Sequence, residues 1–301
     1  MTKKKIAALI LFVFFITTAL FWLEAKYTAN HFIYPDQGQY LQIDDMQIFY
    51  RQIGKGPDVM FVHGIGASQY IWKDVVEILR ENFRLTLIDL PGFGRSSKIK
   101  DISYNLDSQT QYLVKIVQNL NLKSTNLVGS SMGGALALWT AKTHPELIDK
   151  VVAIGPATNP KLVPFAVYKF PQIAYLLQFF VNRLYVYLSL HKIFSNKSLI
   201  TSHRIALSLK NQFNNSSSVY TFLKSVELLD DKRLPGELSQ LQRPTLLLAG
   251  QKDQMVPVEY VKELQKIIPH SQLFIHPDAG HHLMEDDPQW VAHHLVEFFA
   301  R

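Results

Sequence analysis

Cysteine is absent from the 301-residue sequence, which excludes disulfide frameworks, thiolate metal sites, iron–sulfur clusters and cysteine nucleophiles. A chain without cysteine folds equally well in reducing or oxidising surroundings, so its compartment stays open on this ground. Glycine and proline are at ordinary levels, 14 each, and no internal repeat is visible, which removes fibrous and solenoid architectures. No glycine-rich phosphate or dinucleotide loop occurs and the histidines are scattered, so neither a cofactor nor a metal is expected. Acidic residues are missing from a long internal block: between Ala157 and Val226 there is no Asp or Glu, against eight Lys and Arg. With Lys3, Lys4 and Lys5 at the start, that block accounts for more than the whole net charge of +6. Both basic blocks adjoin strongly apolar sequence, so they point to an anionic membrane surface rather than to nucleic acid.

With 48% apolar residues, the chain can bury one large core. Its first apolar run, Ile6 to Leu23, is 18 residues without a charge, close to the about 20 needed to cross a bilayer. A cleaved signal peptide has an apolar core of about 7 to 15 residues and ends in a small-x-small site. Leu23-Glu24-Ala25 is a poor match to that site. An uncleaved anchor over residues 1–26 is therefore expected, with secretion after cleavage, or a buried helix, as alternatives. The leading lysines put the N-terminus in the cytoplasm and the rest of the chain on the other side. Residues 27–37 read as a linker.

A hairpin turning at Asp44-Asp45 follows, and then strand-like and helix-like stretches alternate, the pattern of a mostly parallel sheet with crossover helices. Strands are expected at 58–62, 83–88, 126–128, 150–154, 244–249 and 272–276. Helices are expected at 71–82, 106–120, 132–143, from about 258, and at 288–299. The rhythm breaks between about 157 and 235, an aromatic-rich, helical insertion with a polar turn at 214–218. The chain therefore reads as one α/β core, 38–156 and 236–301, carrying a cap over 157–235. Leu176 to Leu190 is long enough for a second span, but Gln178, Asn182 and Arg183 interrupt it, and a lid helix is the expectation.

Gly129-Ser130-Ser131-Met132-Gly133 matches G-x-S-x-G between a strand and a helix, where small residues two before and two after a serine permit a sharp turn. Further along, Asp253 follows an apolar strand, and His281 lies in Asp278-Ala-Gly-His-His-Leu-Met-Glu-Asp-Asp-Pro288. His63-Gly64-Ile65-Gly66 ends another strand, and Asp89-Leu-Pro-Gly-Phe-Gly-Arg-Ser96 a further one. On these motifs, with Ser131, Asp253 and His281 in that chain order, the sequence resembles the α/β-hydrolase superfamily in its serine esterase and lipase branch. The resemblance covers residues 38 to 300 and implies an eight-stranded, mostly parallel sheet with a cap. It implies Ser131 as nucleophile, Asp253 as acid and His281 as base, with the backbone N–H groups of Ile65 and Met132 as oxyanion donors.

The chemistry requires these residue types independently. A serine hydroxyl needs a base within hydrogen-bond reach, histidine has a suitable pKa, and a buried carboxylate must hold its tautomer. Among neighbours, His282 is the alternative base and Asp278 the alternative acid, while Ser130 lacks glycine flanks. His63 is expected to order its loop, Asp89 to cap a turn, and His293 and His294 to lie on the surface of the last helix. Related dehalogenases and epoxide hydrolases carry aspartate where this chain has Ser131, and dehalogenases place tryptophan where it has Met132. The expected activity is hydrolysis of carboxylic esters, lipid-like and of monoacylglycerol or longer acyl type, or else of small esters. The cap's twelve aromatic residues would wall an acyl pocket, with Phe165, Phe179, Phe180 and Tyr187 as substrate contacts. Carbon–carbon bond hydrolysis, thioester hydrolysis, cofactor-free perhydrolysis and non-catalytic lipid binding are the competing readings. No nucleic-acid partner is expected.

Overall fold

A computed structural model describes residues 3–122, 124–163, 165–213 and 216–300. The eight strands are β1 (Gln39–Ile43), β2 (Met46–Ile53), β3 (Asp58–Val62), β4 (Arg84–Ile88), β5 (Thr125–Ser130), β6 (Ile148–Ile154), β7 (Thr245–Gly250) and β8 (Gln272–His276). They form one sheet in the order β1-β2-β4-β3-β5-β6-β7-β8. The β1–β2 and β2–β4 pairs are antiparallel and all others parallel. The central strands β5 and β7 are buried along their whole length, as strands covered by helices on both faces must be.

The helices are α1 (Lys3–His31), α2 (Lys73–Leu79), α3 (Leu106–Asn119), α4 (Met132–Thr143), α5 (Ala174–Leu177), α6 (Arg183–Ile193), α7 (Ser202–Phe213), α8 (Ser216–Leu229), α9 (Val258–Ile267), α10 (Leu283–Asp286) and α11 (Pro288–Ala300). Helices α3, α4 and α9 bury their apolar faces on one side of the sheet. On the other side lie α2, α10 and α11. Helix α4 is buried all round, which explains why it carries apolar residues at every register rather than along one stripe.

Among the described residues the insertion after β6 is helical, with short 3-10 turns before α5 and between α5, α6 and α7, and then α8. Of the polar turn expected at 214–218, Asn214 and Asn215 lie outside the described residues, and Ser216 to Ser218 open α8 instead. The stretch expected as one lid helix is two: Pro171–Phe180 and Arg183–Ile193 meet at 103°. The bend has a local cause. Asn182 is extended and its side chain accepts from the Tyr185 N–H, capping α6 and ending what precedes it.

Two further boundaries differ from the sequence reading. Helix α1 does not stop at residue 26 but runs to His31, since nothing in Lys26–His31 breaks a helix and Ala25 and Ala29 pack against Val186, Leu190 and Ile205 of the cap. The segment after it is not a free linker either. Asp36 receives Arg95 Nη2 at 2.7 Å and Arg51 Nη1 at 3.4 Å, and Arg95 Nη1 also donates to its carbonyl at 3.0 Å. Gln69 donates to the same carboxylate. Tyr34 donates to Asn211 of α7 at 2.7 Å, which in turn donates to Ser68. The chain leaving α1 is thus tied to both core and cap.

Candidate active site

Ser131 sits between β5 and α4 with φ 55° and ψ −119°, a conformation a non-glycine residue adopts only when its surroundings enforce it. They do so through backbone bonds. The Ser131 N–H donates to Ile154 O at 2.9 Å, and its carbonyl accepts from Ala135 at 3.0 Å and Ala157 at 3.1 Å. The flanking glycines are there for space: a Cβ on Gly129 would stand 2.1 Å from Gly133 O, and one on Gly133 2.4 Å from His63 O.

Asp253, just beyond β7, has a buried carboxylate that is divided in use. Oδ1 accepts the N–H groups of Met255 at 2.7 Å and Val256 at 2.8 Å, and Oδ2 lies 2.7 Å from His281 Nδ1. A carboxylate held by two donors accepts at its other oxygen as well, so Nδ1 of His281 carries the proton and Nε2 presents a free lone pair. Gly155 makes room for this pair. Ser130 pairs with Ile154 across β5 and β6, so Ser131 and Gly155 come next, side by side, and a Cβ on Gly155 would meet Asp253 Oδ2 at 3.2 Å and His281 Nδ1 at 3.5 Å. The sheet thereby gathers Ser131, Asp253 and His281 beyond the carboxyl ends of β5, β7 and β8.

The loop after β3 lies over the serine, and a Cβ on Gly64 would stand 2.9 Å from Ser131 Cβ. Among the described residues, the Ile65 N–H has no backbone acceptor, and Met132, as the first residue of α4, has none within its helix. Both side chains pack into or against the core, and the Met132 N–H, next to Ser131, lies at the positive end of the α4 dipole. His63 is fully buried, with Nδ1 donating to Gly64 O at 2.7 Å and Nε2 accepting the Leu90 N–H at 3.0 Å. Burial lowers its pKa, and a neutral ring satisfies both bonds. Asp89 accepts from Gln69 and Arg95 N–H groups and so holds the two turns together.

The neighbouring candidates are engaged elsewhere. Asp278 is exposed and paired with Lys252 at 2.6 Å. His282 is buried, its Nδ1 2.7 Å from Glu285 Oε2, and Glu285 is paired with Arg204 of α7 at 2.8 Å. Burial lowers the His282 pKa despite the carboxylate. Burial pushes Glu285 up, but Arg204 and the His282 hydrogen bond outweigh it and leave it lowered. The trio is therefore a neutral imidazole donating to an ion pair, and Arg204 Nη2, 3.4 Å from that protonated nitrogen, acts on it only electrostatically. His293 is exposed, whereas His294 is half-buried and stacks on Trp290 with centroids 3.9 Å apart.

Asp286 is a residue that sequence reasoning noticed only as part of a motif. Its Oδ2 accepts Gly280 N–H at 2.7 Å and Ser195 N–H at 3.0 Å, and its Oδ1 accepts Asn196 N–H at 3.0 Å. Ile193 O accepts the His281 N–H at 2.8 Å. The loop that carries His281 is thus fastened to the end of α6 in the cap. No local signal reports such a contact across 90 residues.

Three of the four expected lid contacts lie in grooves of the cap, and Phe180 also lines one with Val219 and Leu223 of α8. Phe179 and Phe180 line a groove against α1 with Phe14 and Phe15, and Phe179 stacks on Trp22 at 5.1 Å. Tyr187 lines a second groove with Phe21 and Leu184, and Phe165 is 76% exposed. Among the described residues, no three His, Asp or Glu side chains converge as metal ligands do.

A strand-order reversal at β3, a serine on a strained strand-to-helix turn and an Asp–His pair beyond later strands together define a hydrolase of the α/β class. A model of the alpha/beta hydrolase fold matches residues 57–288, and the chain belongs to that family. The chain is 29% identical to a pimeloyl-[acyl-carrier protein] methyl ester esterase of Vibrio vulnificus, over 82% of this chain and 96% of the relative. It is 26% identical to 2-hydroxy-6-oxo-6-(2'-aminophenyl)hexa-2,4-dienoic acid hydrolase of Metapseudomonas resinovorans, over 84% of this chain and 87% of the relative. Among solved structures, a bacterial membrane phospholipase A shares the fold at 21% identity with a TM-score of 0.69, covering 99% of this chain and 98% of its own.

Proposed function

We propose that this hydrolase cleaves carboxylic esters through an acyl-enzyme on Ser131. The observation that carries the proposal is the buried 2.7 Å contact of Asp253 with His281 Nδ1, in the space that Gly155 leaves open beside Ser131. His281 Nε2 takes the Ser131 hydroxyl proton as Oγ attacks the ester carbonyl, and Asp253 stabilises the imidazolium. The Ile65 and Met132 N–H groups receive the oxyanion. Collapse expels the alkoxide, which takes the proton from His281, and water then repeats the sequence to release the acid.

The substrate in this proposal is a lipid-like ester reached from a membrane, to which α1 anchors the enzyme with the N-terminus cytoplasmic and the catalytic domain outside. Support comes from the uncharged Ile6–Leu23 run behind three lysines and from cap aromatics gathered against that helix. Carbon–carbon bond hydrolysis is the second reading, favoured by the dienoic acid hydrolase relative.

A series of p-nitrophenyl esters from acetate to palmitate, assayed on detergent-solubilised wild type beside Ser131→Ala, tests the proposal. Serine-dependent turnover peaking at medium or long chains supports it, and activity confined to acetate makes this a small-ester enzyme. Aromatic dienone turnover exceeding ester turnover selects the second reading.

A further inference from the structure

We propose that the cap is itself a membrane-embedded element, with Pro171–Phe180 dipping into the same leaflet as the second half of α1 without crossing it. The inference rests on reading α1 as a span. The cap residues 170–182 carry no charge and are bounded by Lys169 and Arg183. Within them Phe170, Ile173, Leu176, Phe179 and Phe180 are exposed, up to 70% for Phe170, a run of apolar side chains of the kind that marks a membrane or partner surface, while Tyr175, whose hydroxyl accepts from Lys100 Nζ at 2.8 Å, marks its polar side.

Their depth follows from α1. Its uncharged run of 18 residues, Ile6–Leu23, is about 27 Å long and nearly fills a hydrocarbon layer of about 30 Å, so Glu24 marks the polar boundary on the side of the catalytic domain. Arg183, the first charge after the cap run, lies 4.0 Å from Glu24, so both apolar segments end at one level. Leu176, Phe179 and Phe180 share a groove with Phe14, Phe15 and Thr18, which lie six to ten residues below Glu24, about 9 to 15 Å down the helix. If α1 crosses a bilayer, these cap residues are inside it. The backbone there is helical or 3-10 over Pro171–Phe180, with its polar groups largely bonded within the segment as hydrocarbon demands. The 103° bend to α6 turns the chain back to the surface, and the occupant of the exposed face is lipid acyl chain.

The absence of cysteine permits a direct test with single-cysteine variants of the full chain. Leu176→Cys, Phe12→Cys on α1 and Lys262→Cys on α9 are labelled with an environment-sensitive fluorophore. They are reconstituted into phosphatidylcholine–phosphatidylglycerol vesicles containing acyl-chain spin-labelled lipid. Quenching at position 176 within about twofold of that at position 12, with position 262 unquenched, is the expected result. Quenching at 12 but not at 176 overturns the embedded cap while leaving α1 as an anchor. No quenching at 12 overturns the membrane reading of α1 and the inference with it. Ile173→Cys gives an independent reading of the same segment.

Discussion

Replacing Asp286 tests how far the cap governs the base. Asp286→Ala removes the acceptor of three backbone N–H groups, at Gly280, Ser195 and Asn196. Hydrogen bonds to a charged group contribute about 1.5–3 kcal/mol each when shielded. The Asn196 bond is exposed and contributes little, so the loss comes from the two part-buried bonds to Oδ2, about 3–6 kcal/mol at full shielding and less in proportion to the solvent screening of a part-buried group. The loop that moves is the one holding His281, whose own N–H is fastened to Ile193, and a misplacement of about 1 Å at a reacting group costs on the order of 100-fold in rate. We expect Asp286→Ala to lower kcat for a p-nitrophenyl ester by about 10- to 100-fold with KM within about twofold, together with a lower Tm. Asp286→Asn separates this from a general loss of charge, because an amide oxygen in the Oδ2 position keeps the Gly280 and Ser195 bonds and gives up only the exposed one. It is therefore expected to stay within about threefold of wild type. Wild-type kcat in Asp286→Ala, or equal damage in the two variants, refutes the reasoning.

Arg204→Met leaves Glu285 buried without its cation and is expected to cost about 3 kcal/mol in urea unfolding. The double variant Arg204→Met, Glu285→Gln should recover most of that, and a double variant no better than the single would disprove the ion-pair account. Gly155→Ala places a methyl 3.2 Å from Asp253 Oδ2 at a φ of +50°, so we predict about 1 kcal/mol of lost stability and about a tenfold lower kcat, read by Michaelis kinetics. His63 and His282 have folded pKa values held below the ordinary 6.5 by burial. Below pH 6.5 the unfolded chain takes up protons that the folded chain refuses, so stability present at pH 7 to 8 is lost as pH falls. Because Glu285 has an ordinary value of 4.5 and is lowered further, Tm between pH 6.5 and 5 reports the histidines. His282→Gln should flatten that slope, and an unchanged slope would remove His282 from the account.

Much of the core was readable because its signals are local. The strands β3 and β8 were located to the residue from short apolar runs, and the Asp44-Asp45 hairpin from its turn chemistry. Ser131, Asp253 and His281 could be nominated because each lies in a short motif after a strand. The cap resisted the same treatment. Its elements are punctuated by 3-10 turns and by asparagine caps such as Asn182 and Asn196, a signal that Leu176–Leu190 contained and that hydropathy alone passes over. Composition places Phe179 and Tyr187 in an aromatic cap but does not report what they pack against, which is Trp22 for Phe179 and a groove shared with Phe21 for Tyr187. The Arg204–Glu285–His282 cluster and the Asp286 clamp join residues from 78 to 91 positions apart, beyond any periodicity.

The fastening of Asp36 by Arg95 and Arg51 has a mechanical meaning. A span followed by a loose tether lets an enzyme sample a hemisphere above its attachment point and reach soluble molecules and bilayer components alike. A span bolted to its cargo transmits its own tilt to the cargo. On the proposal that α1 crosses a bilayer, the catalytic mouth would ride at one height and one attitude while the whole molecule drifts sideways and spins about the membrane normal. An enzyme mounted in that way would search a plane, and its encounter rate would be set by the surface density of substrate rather than by its bulk concentration.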